Sequence, residues 1–350
     1  MKLLSLAIAC YNMEKHIPNC LTSLLTPETS GDLEIILVND GSKDNSLKIM
    51  QEYKEKYPES IVIIDKANGH YGSCINAALD IATAKYFRPL DPDDYFDTKN
   101  LIYLLEKLKN TDVDMIITDR SFEFPKYSKK NNIKNYFHNV EAEKIYDYDS
   151  KYFVDTPLIL KGIGMHNLTY KTPLLQEMNF KMTEGIYYVD REYEFYPLPN
   201  VKNFVFFDVV LYKYSLGISG QSMAIAQMIK NVENQYIIIN KMLNYLKTNE
   251  INKVQENMLL AWIETYYNMT LCISKRNPVN EAKLKELDGF LLEVSPSLHQ
   301  KTNNFKMLAC FQYVKRWRQT GKYWGDTWLA RVFYFVRNIL KTCLYRLRGA

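Results

Sequence analysis

The sequence predicts an α/β fold in which a mostly parallel sheet is flanked by helices and is followed by a C-terminal α-helical region. Short apolar runs alternate with amphipathic segments over the first 120 residues, and from residue 221 the pattern becomes helical. Two of the apolar runs end in acidic residues. Alternation of this kind is typical of parallel sheets, in which ligands bind at the carboxyl edge.

Five apolar runs in this first region are interpreted as strands, at 3–9, 33–39, 61–64, 86–90 and 115–118. Helices are predicted between them, at 14–25, 45–57, 71–84 and 98–109. The second helix begins after Asp44 and ends before Pro58, which are ordinary start and stop signals. Residues 121–155 are polar and rich in Tyr, Lys and Asn, so a surface loop is expected there.

A domain boundary is predicted near residue 221, which gives an α/β domain at 1–220 and a helical region at 221–350. The α/β domain ends in a strand-like run at 204–214. Helical patterns follow at 223–246, 252–274, 281–293, 306–318 and 327–347.

Charge is unevenly distributed along the chain. The net charge is +4, but residues 315–350 carry +8 and the remainder carries −4. Apolar residues of this tail recur at helical spacing between basic ones, which is typical of an amphipathic helix lying on an anionic membrane surface. The alternative is a terminal helix packed on its own protein. The acidic body and the lack of a recognition motif argue against a nucleic-acid partner.

The cysteines favour a reducing compartment. All six are scattered without CxxC pairs, mostly in apolar surroundings. No run of about 18 uncharged apolar residues is present, so no membrane-spanning helix is expected. We therefore expect a cytoplasmic protein, with the tail placing it peripherally on the inner face of the cell membrane.

Acidic residues cluster after the fourth predicted strand, where Asp91, Asp93 and Asp94 lie within four positions. Carboxylates this close together repel one another unless water solvates them or a cation binds between them. Mg²⁺ and Mn²⁺ are the cations that such ligands prefer. A metal there would bridge to a nucleotide diphosphate and stabilise charge on the departing group. Asp40 ends a neighbouring predicted strand. The alternative is a solvated loop with a helix cap at Asp97.

Three segments together resemble family 2 glycosyltransferases with the GT-A fold: residues 6–12 (LAIACYN), 36–44 (ILVNDGSKD) and 68–94, which ends in LDPDD. The resemblance covers about residues 1–215. The chain departs from the family at Ala9, where Pro is usual, and at Asn39, where Asp is common. It implies a Rossmann-like, nucleotide-sugar-binding catalytic domain, a UDP-sugar donor, a divalent metal and inversion at the anomeric carbon.

By this resemblance, Ala9, Tyr11 and Asp40 hold the base and ribose of the donor. Asp91 and Asp93 form the D-x-D pair, with Asp93 or Asp94 nearest the metal. Asn68, Gly72 and Asn76 are expected to line the donor pocket, and His166 the acceptor or diphosphate side. Contacts with the diphosphate are expected from Lys213, Gln221 and Ser222. The alternative interpretation of His166 is a hydrogen-bonded histidine at the start of a strand. For the residues after 214 the alternative is a linker to the helical region.

The family also needs a base that takes a proton from the acceptor hydroxyl. Its usual signature, an acidic pair after a glycine-containing loop, corresponds to residues 184–192 (EGIYYVDRE), with Val189 where Glu is common. We predict Asp190 as the base, with Glu192 and then Glu184 as alternatives. A helix start with ordinary surface acids is the remaining interpretation.

These features lead to one functional hypothesis and two alternatives. The hypothesis is a metal-dependent, inverting, hexosyl-type glycosyltransferase that adds a sugar to a hydroxyl of a glycan or lipid-linked glycan in surface-polysaccharide synthesis. One alternative is a catalytically silent nucleotide- or glycan-binding scaffold. The other is a metal-dependent nucleotidyltransferase, which would release pyrophosphate.

Overall fold

The computed structural model describes residues 1–124, 129–133, 140–149, 152, 164–216, 225–273, 278–307 and 311–323. The chain forms two compact units, Met1–Gly217 and Ile218–Ala350. The division lies three residues before the predicted end of the α/β domain.

The first unit is the α/β domain, and the five strands and four helices predicted for its first 120 residues are confirmed to within a few residues, except that the last strand is longer. Its strands are β1 (Leu4–Cys10), β2 (Leu33–Asp40), β3 (Ile61–Lys66), β4 (Tyr86–Pro89), β5 (Tyr95–Phe96), β6 (Met115–Phe124), β7 (Lys129–Ile133), β8 (Ile145–Asp147), β9 (Leu168–Lys171) and β10 (Asn203–Ser215). Its helices are α1 (Ile17–Leu24), α2 (Ser46–Lys56), α3 (His70–Ile81), α4 (Thr98–Leu108), α5 (Thr172–Glu177) and α6 (Asp190–Phe195).

Helix α4 shows why these segments adopt their structures. Its buried residues are Leu101, Leu104, Leu105 and Leu108, which share one face of a helix. The Asp97 carboxylate caps the helix by accepting a hydrogen bond from the Asn100 backbone nitrogen. The apolar face therefore packs on the sheet, and the helix cap at Asp97 that the alternative interpretation included is present.

One mixed sheet, in the order β3-β2-β1-β4-β9-β6-β10-β5, carries the site. Strands β2 and β4 both run parallel to β1, so the carboxyl ends of these three strands meet at the same edge. Strand β9 lies antiparallel between β4 and β6, and it brings residues near 166 beside the end of β4.

The loop predicted for residues 121–155 is wrong in part. Strand β6 continues to Phe124, β7 pairs with it antiparallel, and β8 pairs with β10. The backbone of these polar segments obtains its hydrogen bonds from long neighbouring strands, a tertiary contribution that polar composition conceals.

The second unit is helical. Its helices are α7 (Ile225–Lys230), α8 (Val232–Tyr245), α9 (Lys253–Asn268, continued by a π-turn to Ile273), α10 (Pro278–Val294), α11 (Pro296–Thr302) and α12 (Tyr313–Thr320). The helix predicted at 306–318 is wrong in its first half, because Lys306–Met307 (β11) and Phe311–Gln312 (β12) form a small antiparallel pair. The predicted helix at 327–347 lies outside the described residues.

The start of the basic tail lies on helix α12, which packs one face against this unit while Lys315 and Arg316 remain exposed. Val314 is fully buried and Trp317 is 6% exposed. The Arg318 guanidinium forms a salt bridge with Asp288 of α10 at 2.5 Å. The prediction that residues from 315 onward face a membrane is therefore wrong for Trp317 and Arg318. Within the described part of the chain, no helix is both long and apolar enough to cross a bilayer.

Candidate active site

Asp40 lies at the carboxyl end of β2, where its side chain is 3% exposed. Its Oδ1 accepts hydrogen bonds from Lys66 Nζ at 2.8 Å and from the Gly69 backbone nitrogen at 2.9 Å. Asn68 Nδ2 donates to the Asp40 carbonyl oxygen at 2.9 Å. Sequence analysis missed Lys66, whose signal was a cation closing an apolar strand.

Tyr11 follows β1 on the same edge, and its ring is 47% exposed. Ala9, the penultimate residue of β1, is in register with Val38 of β2. The loops after these strands are joined, because the Lys43 backbone nitrogen donates to Asn12 Oδ1 at 2.7 Å. An accessible aromatic face therefore lies beside the end of β2.

The acid cluster after β4 is more buried than its composition indicates. Asp94 is 0% exposed, and its two oxygens accept hydrogen bonds from Tyr212 Oη and the Ser215 backbone nitrogen, both at 2.7 Å. Burial, and then the charges of Asp91 and Asp93, raise the pKa of Asp94 well above its ordinary value. A cation beside this carboxylate would offset the free-energy cost of keeping it ionised in a buried position.

His166 completes a group of potential metal ligands. Its Nε2 lies 3.6 Å from Asp91 Oδ2, and ligand atoms of Asp91, Asp94 and His166 all lie within 4.8 Å of one another. The group found among the described residues does not include Asp93, which sequence analysis had counted as a ligand. Two carboxylates and an imidazole form a donor set that fits Mn²⁺ and accommodates Mg²⁺.

A short 3₁₀ turn, Met165–Asn167, carries His166 into this position. Arg88, a fully buried residue of β4, donates to the His166 carbonyl oxygen. Burial lowers the pKa of Arg88 to about 10. Rings of Tyr212 and Tyr214 flank the imidazole, with centroids 4.8 and 4.7 Å away. The histidine is therefore held on both its backbone and its ring.

Buried charged groups fix the rest of the turn. Arg120 Nη1 donates to Asn167 Oδ1 at 2.8 Å, and the Met165 backbone nitrogen donates to Glu194 Oε1 at 2.9 Å. Burial, and then the charge of Asp190, raise the pKa of Glu194 to about 8. These contacts link the turn to helix α6.

Asp190 is the first residue of α6 and is partly exposed. It lies one helical turn before Glu194, so the predicted base and the His166 turn are connected through one buried carboxyl group. The structure thus brings Asp190 to the same region of the sheet edge as the acid cluster.

The two alternative bases have structural partners. Glu192 is 0% exposed, and its oxygens accept hydrogen bonds from the Thr183 backbone nitrogen at 2.5 Å and from Thr183 Oγ1 at 2.9 Å. Glu184 is exposed and accepts from Asn76 Nδ2 at 3.0 Å. Glu192 therefore supports the loop that precedes α6.

Gly72 and Asn76 hold the same loop against α3. A Cβ on Gly72 would lie 2.2 Å from the Thr183 carbonyl oxygen, so only glycine fits this approach. Asn76 is 5% exposed, donates to the Met182 carbonyl oxygen at 2.9 Å and accepts from the Met182 nitrogen at 2.8 Å. We refer to residues 182–188, which precede α6, as the α6 loop.

The residues predicted near the diphosphate are only partly described. Lys213 is 8% exposed, and its Nζ lies 3.5 Å from Asp97 Oδ2. Gln221 and Ser222 lie outside the described residues.

Comparisons with known proteins agree with this architecture. Residues 5–175 match the model of Glycosyl transferase family 2. The chain is 28% identical over 207 residues to "Teichoic acid poly(glycerol phosphate) polymerase" of Staphylococcus epidermidis, which covers 59% of this chain but only 27% of that protein. It is 25% identical over 282 residues to "Uncharacterized glycosyltransferase YibD" of Escherichia coli, covering 78% of this chain and 79% of that protein.

Among solved structures, the chain is similar to S. aureus TarS 1–349 in complex with UDP-GlcNAc, with a TM-score of 0.63, 17% identity and 93% of each chain covered. At that identity the likeness establishes the fold, which is the GT-A fold expected from the sequence. The match over residues 5–175, just under half of the chain, places that segment in Glycosyl transferase family 2.

Proposed function

We propose that this protein is an inverting glycosyltransferase that moves a sugar from a UDP-sugar to a hydroxyl group of a cell-surface polymer or its lipid-linked precursor. The observation that carries the proposal is the grouping of Asp91, Asp94 and His166 at the carboxyl edge of the sheet, with Asp190 linked to the same turn through Glu194.

The donor occupies the edge formed by β1 and β2. Tyr11 offers an exposed ring for the base, and Asp40 offers a carboxylate whose Oδ1 is fixed by Lys66 and Gly69. The solved complex of TarS with UDP-GlcNAc supports the choice of a UDP-sugar as donor class.

Asp91, Asp94 and His166 would hold Mn²⁺ or Mg²⁺, and Asp93 supplies a further carboxylate nearby. When bound, such a cation offsets negative charge on the diphosphate as it departs. The raised pKa of Asp94, a buried carboxyl group among like charges, supports this assignment.

Asp190 acts as the base. Its carboxylate accepts the proton of the acceptor hydroxyl while that oxygen forms a bond to the anomeric carbon. The bond from this carbon to the diphosphate oxygen breaks at the same time, and its electron pair leaves with UDP. Attack from the face opposite the leaving group inverts the configuration.

The name of the staphylococcal relative, a teichoic acid polymerase, supports an acceptor belonging to a cell-surface polymer. Because the chain spans about a quarter of that protein's length, the acceptor is proposed at the level of class.

Replacing Asp190 by Asn tests the base. We expect transfer to fall by about 10²-fold or more, since the amide accepts no proton at neutral pH. Binding of UDP-sugar with Mn²⁺ should be unchanged, because Asn keeps the size of Asp190 and the proposed donor and metal residues are other side chains. The assay follows transfer to purified teichoic-acid or lipid-linked glycan acceptors; equal transfer rates in both proteins would remove Asp190 as the base.

The products separate the alternatives. A glycosyltransferase releases UDP, whereas a nucleotidyltransferase releases pyrophosphate, and a silent scaffold releases neither. Thermal-shift titrations with a panel of nucleotide-sugars and Mn²⁺ identify the donor, since a ligand that binds only the folded state raises the melting temperature.

A further inference from the structure

A pair of aromatic rings, partly exposed at His70 and exposed at Tyr187, lies where helix α3 meets the α6 loop. The His70 and Tyr187 ring centroids are 5.3 Å apart with the planes at 77°, an edge-to-face arrangement. The Tyr187 ring is 44% exposed, which is unusual for a side chain of this size in the described part of the molecule.

The backbone at this pair is held in an uncommon conformation. His70 has φ +65° and Tyr188 has φ +67°, both in the left-handed region that bulky residues rarely adopt. Such conformations persist only where surrounding contacts enforce them, and they concentrate at functional sites.

Hydrogen bonds fix both sides of the pair. The Gly185 backbone nitrogen donates to the Gly69 carbonyl oxygen at 3.0 Å, directly before His70. The Gly69 nitrogen donates in turn to Asp40 Oδ1. Tyr187 precedes Asp190 by three residues. Hydrogen bonds therefore connect the backbone beside the two rings to the Asp40 carboxylate at the end of β2.

We propose that the His70–Tyr187 pair is a binding platform for a neutral sugar ring of the acceptor. The C–H face of a pyranose packs on an aromatic face, while the tyrosine hydroxyl and imidazole nitrogens are suited to its hydroxyls. This inference rests on the proposed transferase function, since it makes the sugar ring part of the acceptor.

Charge at the platform favours a sugar ring over a phosphate group. Lys66, near the platform, is engaged with Asp40, Ser73 and the Ala67 carbonyl oxygen. The Arg191 guanidinium lies over the Tyr188 ring at 5.8 Å. Both nearby cations thus have partners within the protein.

Saturation-transfer NMR of the full chain tests the platform without requiring turnover. The probes are the β-methyl glycosides of glucose, galactose and N-acetylglucosamine and their disaccharides, with glycerol phosphate as the charged comparison. We expect saturation at the ring C–H protons of at least one glycoside. Affinity for it should be about tenfold weaker in Tyr187→Ala, the effect of losing one aromatic contact.

Ile81→Ala is the matched control, because Ile81 is an exposed apolar residue at the other end of α3. It should bind the probes and hydrolyse UDP-sugar as the wild type does. Equal binding by wild type and Tyr187→Ala, no binding of any glycoside, or preference for glycerol phosphate would each overturn the platform. Failure of the proposed function would appear separately, as absence of UDP release by the wild type.

Discussion

Asp190 and Glu192 lie two residues apart, yet the fold gives them different environments. Asp190 is partly exposed at the first turn of α6, whereas Glu192 is fully buried and accepts two hydrogen bonds from Thr183. A side chain that already accepts two short hydrogen bonds within the protein is poorly placed to collect a proton from substrate. The environment favours Asp190 as the base and Glu192 as a support, a distinction that the local sequence left open.

Glu192→Gln should destabilise the protein by about 1.5–3 kcal/mol, the usual cost of losing a hydrogen bond to a charged group. Thr183→Val, which removes one of the same contacts without touching any acid, should act in the same direction. Urea unfolding measures both. If Glu192→Gln instead abolished transfer while leaving the unfolding midpoint unchanged, Glu192 would be the base.

Gly72→Ala should displace the α6 loop (residues 182–188), because the new Cβ meets a backbone oxygen that has little freedom to move. We expect a lower melting temperature and reduced transfer. The control is Gly289→Ala in α10, where nothing lies within 4 Å of the new Cβ. There the higher helix propensity of Ala should stabilise the protein by up to about 1 kcal/mol. A neutral Gly72→Ala would contradict the close approach.

At the scale of elements, short segments decide the chemistry of the edge. The turn Met165–Asn167 is one 3₁₀ turn long, and it places His166 beside Asp91 because Arg88, Arg120 and Glu194 hold it. In the sequence, Arg88 was visible only as a charged residue inside an apolar strand. Its hydrogen bond to the His166 carbonyl oxygen could not be predicted, because strand β9 lies antiparallel between β4 and β6 and brings the two residues together.

Helix α12 is anchored by the Arg318–Asp288 ion pair, and this gives a pH-dependent stability. Burial tends to raise the pKa of Asp288, but hydrogen bonds from Arg318 and Tyr267 outweigh it and leave the pKa below its ordinary value. A carboxyl group with a lowered folded-state pKa contributes stability above its unfolded pKa of about 4 and loses it as the pH falls further.

Arg318→Met should therefore lower stability at pH 7 by about 3 kcal/mol, the lower end of the cost of removing one partner of a buried ion pair, because Asp288 is partly buried and keeps contacts with Tyr267 and His299. The difference from wild type should narrow as the pH falls from about 4 towards 3, when Asp288 becomes protonated. Urea unfolding of both proteins at pH 7 and at about pH 3 measures this difference in stability. A difference that stays constant with pH would mean that the guanidinium acts only through packing.

At the scale of the whole molecule, the chain divides into an α/β unit that carries the proposed chemistry and a helical unit that carries the basic tail. Because α12 supplies buried residues to the second unit, a truncation before Lys315 would remove part of its core. A membrane test must therefore retain the chain through Tyr323 and delete residues 324–350, which still hold five basic residues.

The full chain should float with vesicles containing phosphatidylglycerol, and the chain ending at Tyr323 should not. Each basic residue near an anionic surface contributes about 1 kcal/mol, and salt screens the attraction. Vesicles of phosphatidylcholine alone provide the control. Equal flotation of both proteins would show that residues 324–350 do not attach the protein to a membrane.

The order of the first strands and helices, the acid-rich carboxyl edge and the resemblance to family 2 glycosyltransferases could be predicted from local periodicity and motif spacing. The burial of Asp94, the approach of His166 to Asp91 and Asp94, and the support that Glu192 gives to a loop could not. These outcomes depend on contacts between distant residues, such as Tyr212 and Asp94, which are 118 positions apart. Burial and hydrogen bonding of a side chain are set by such neighbours, and local sequence does not contain them.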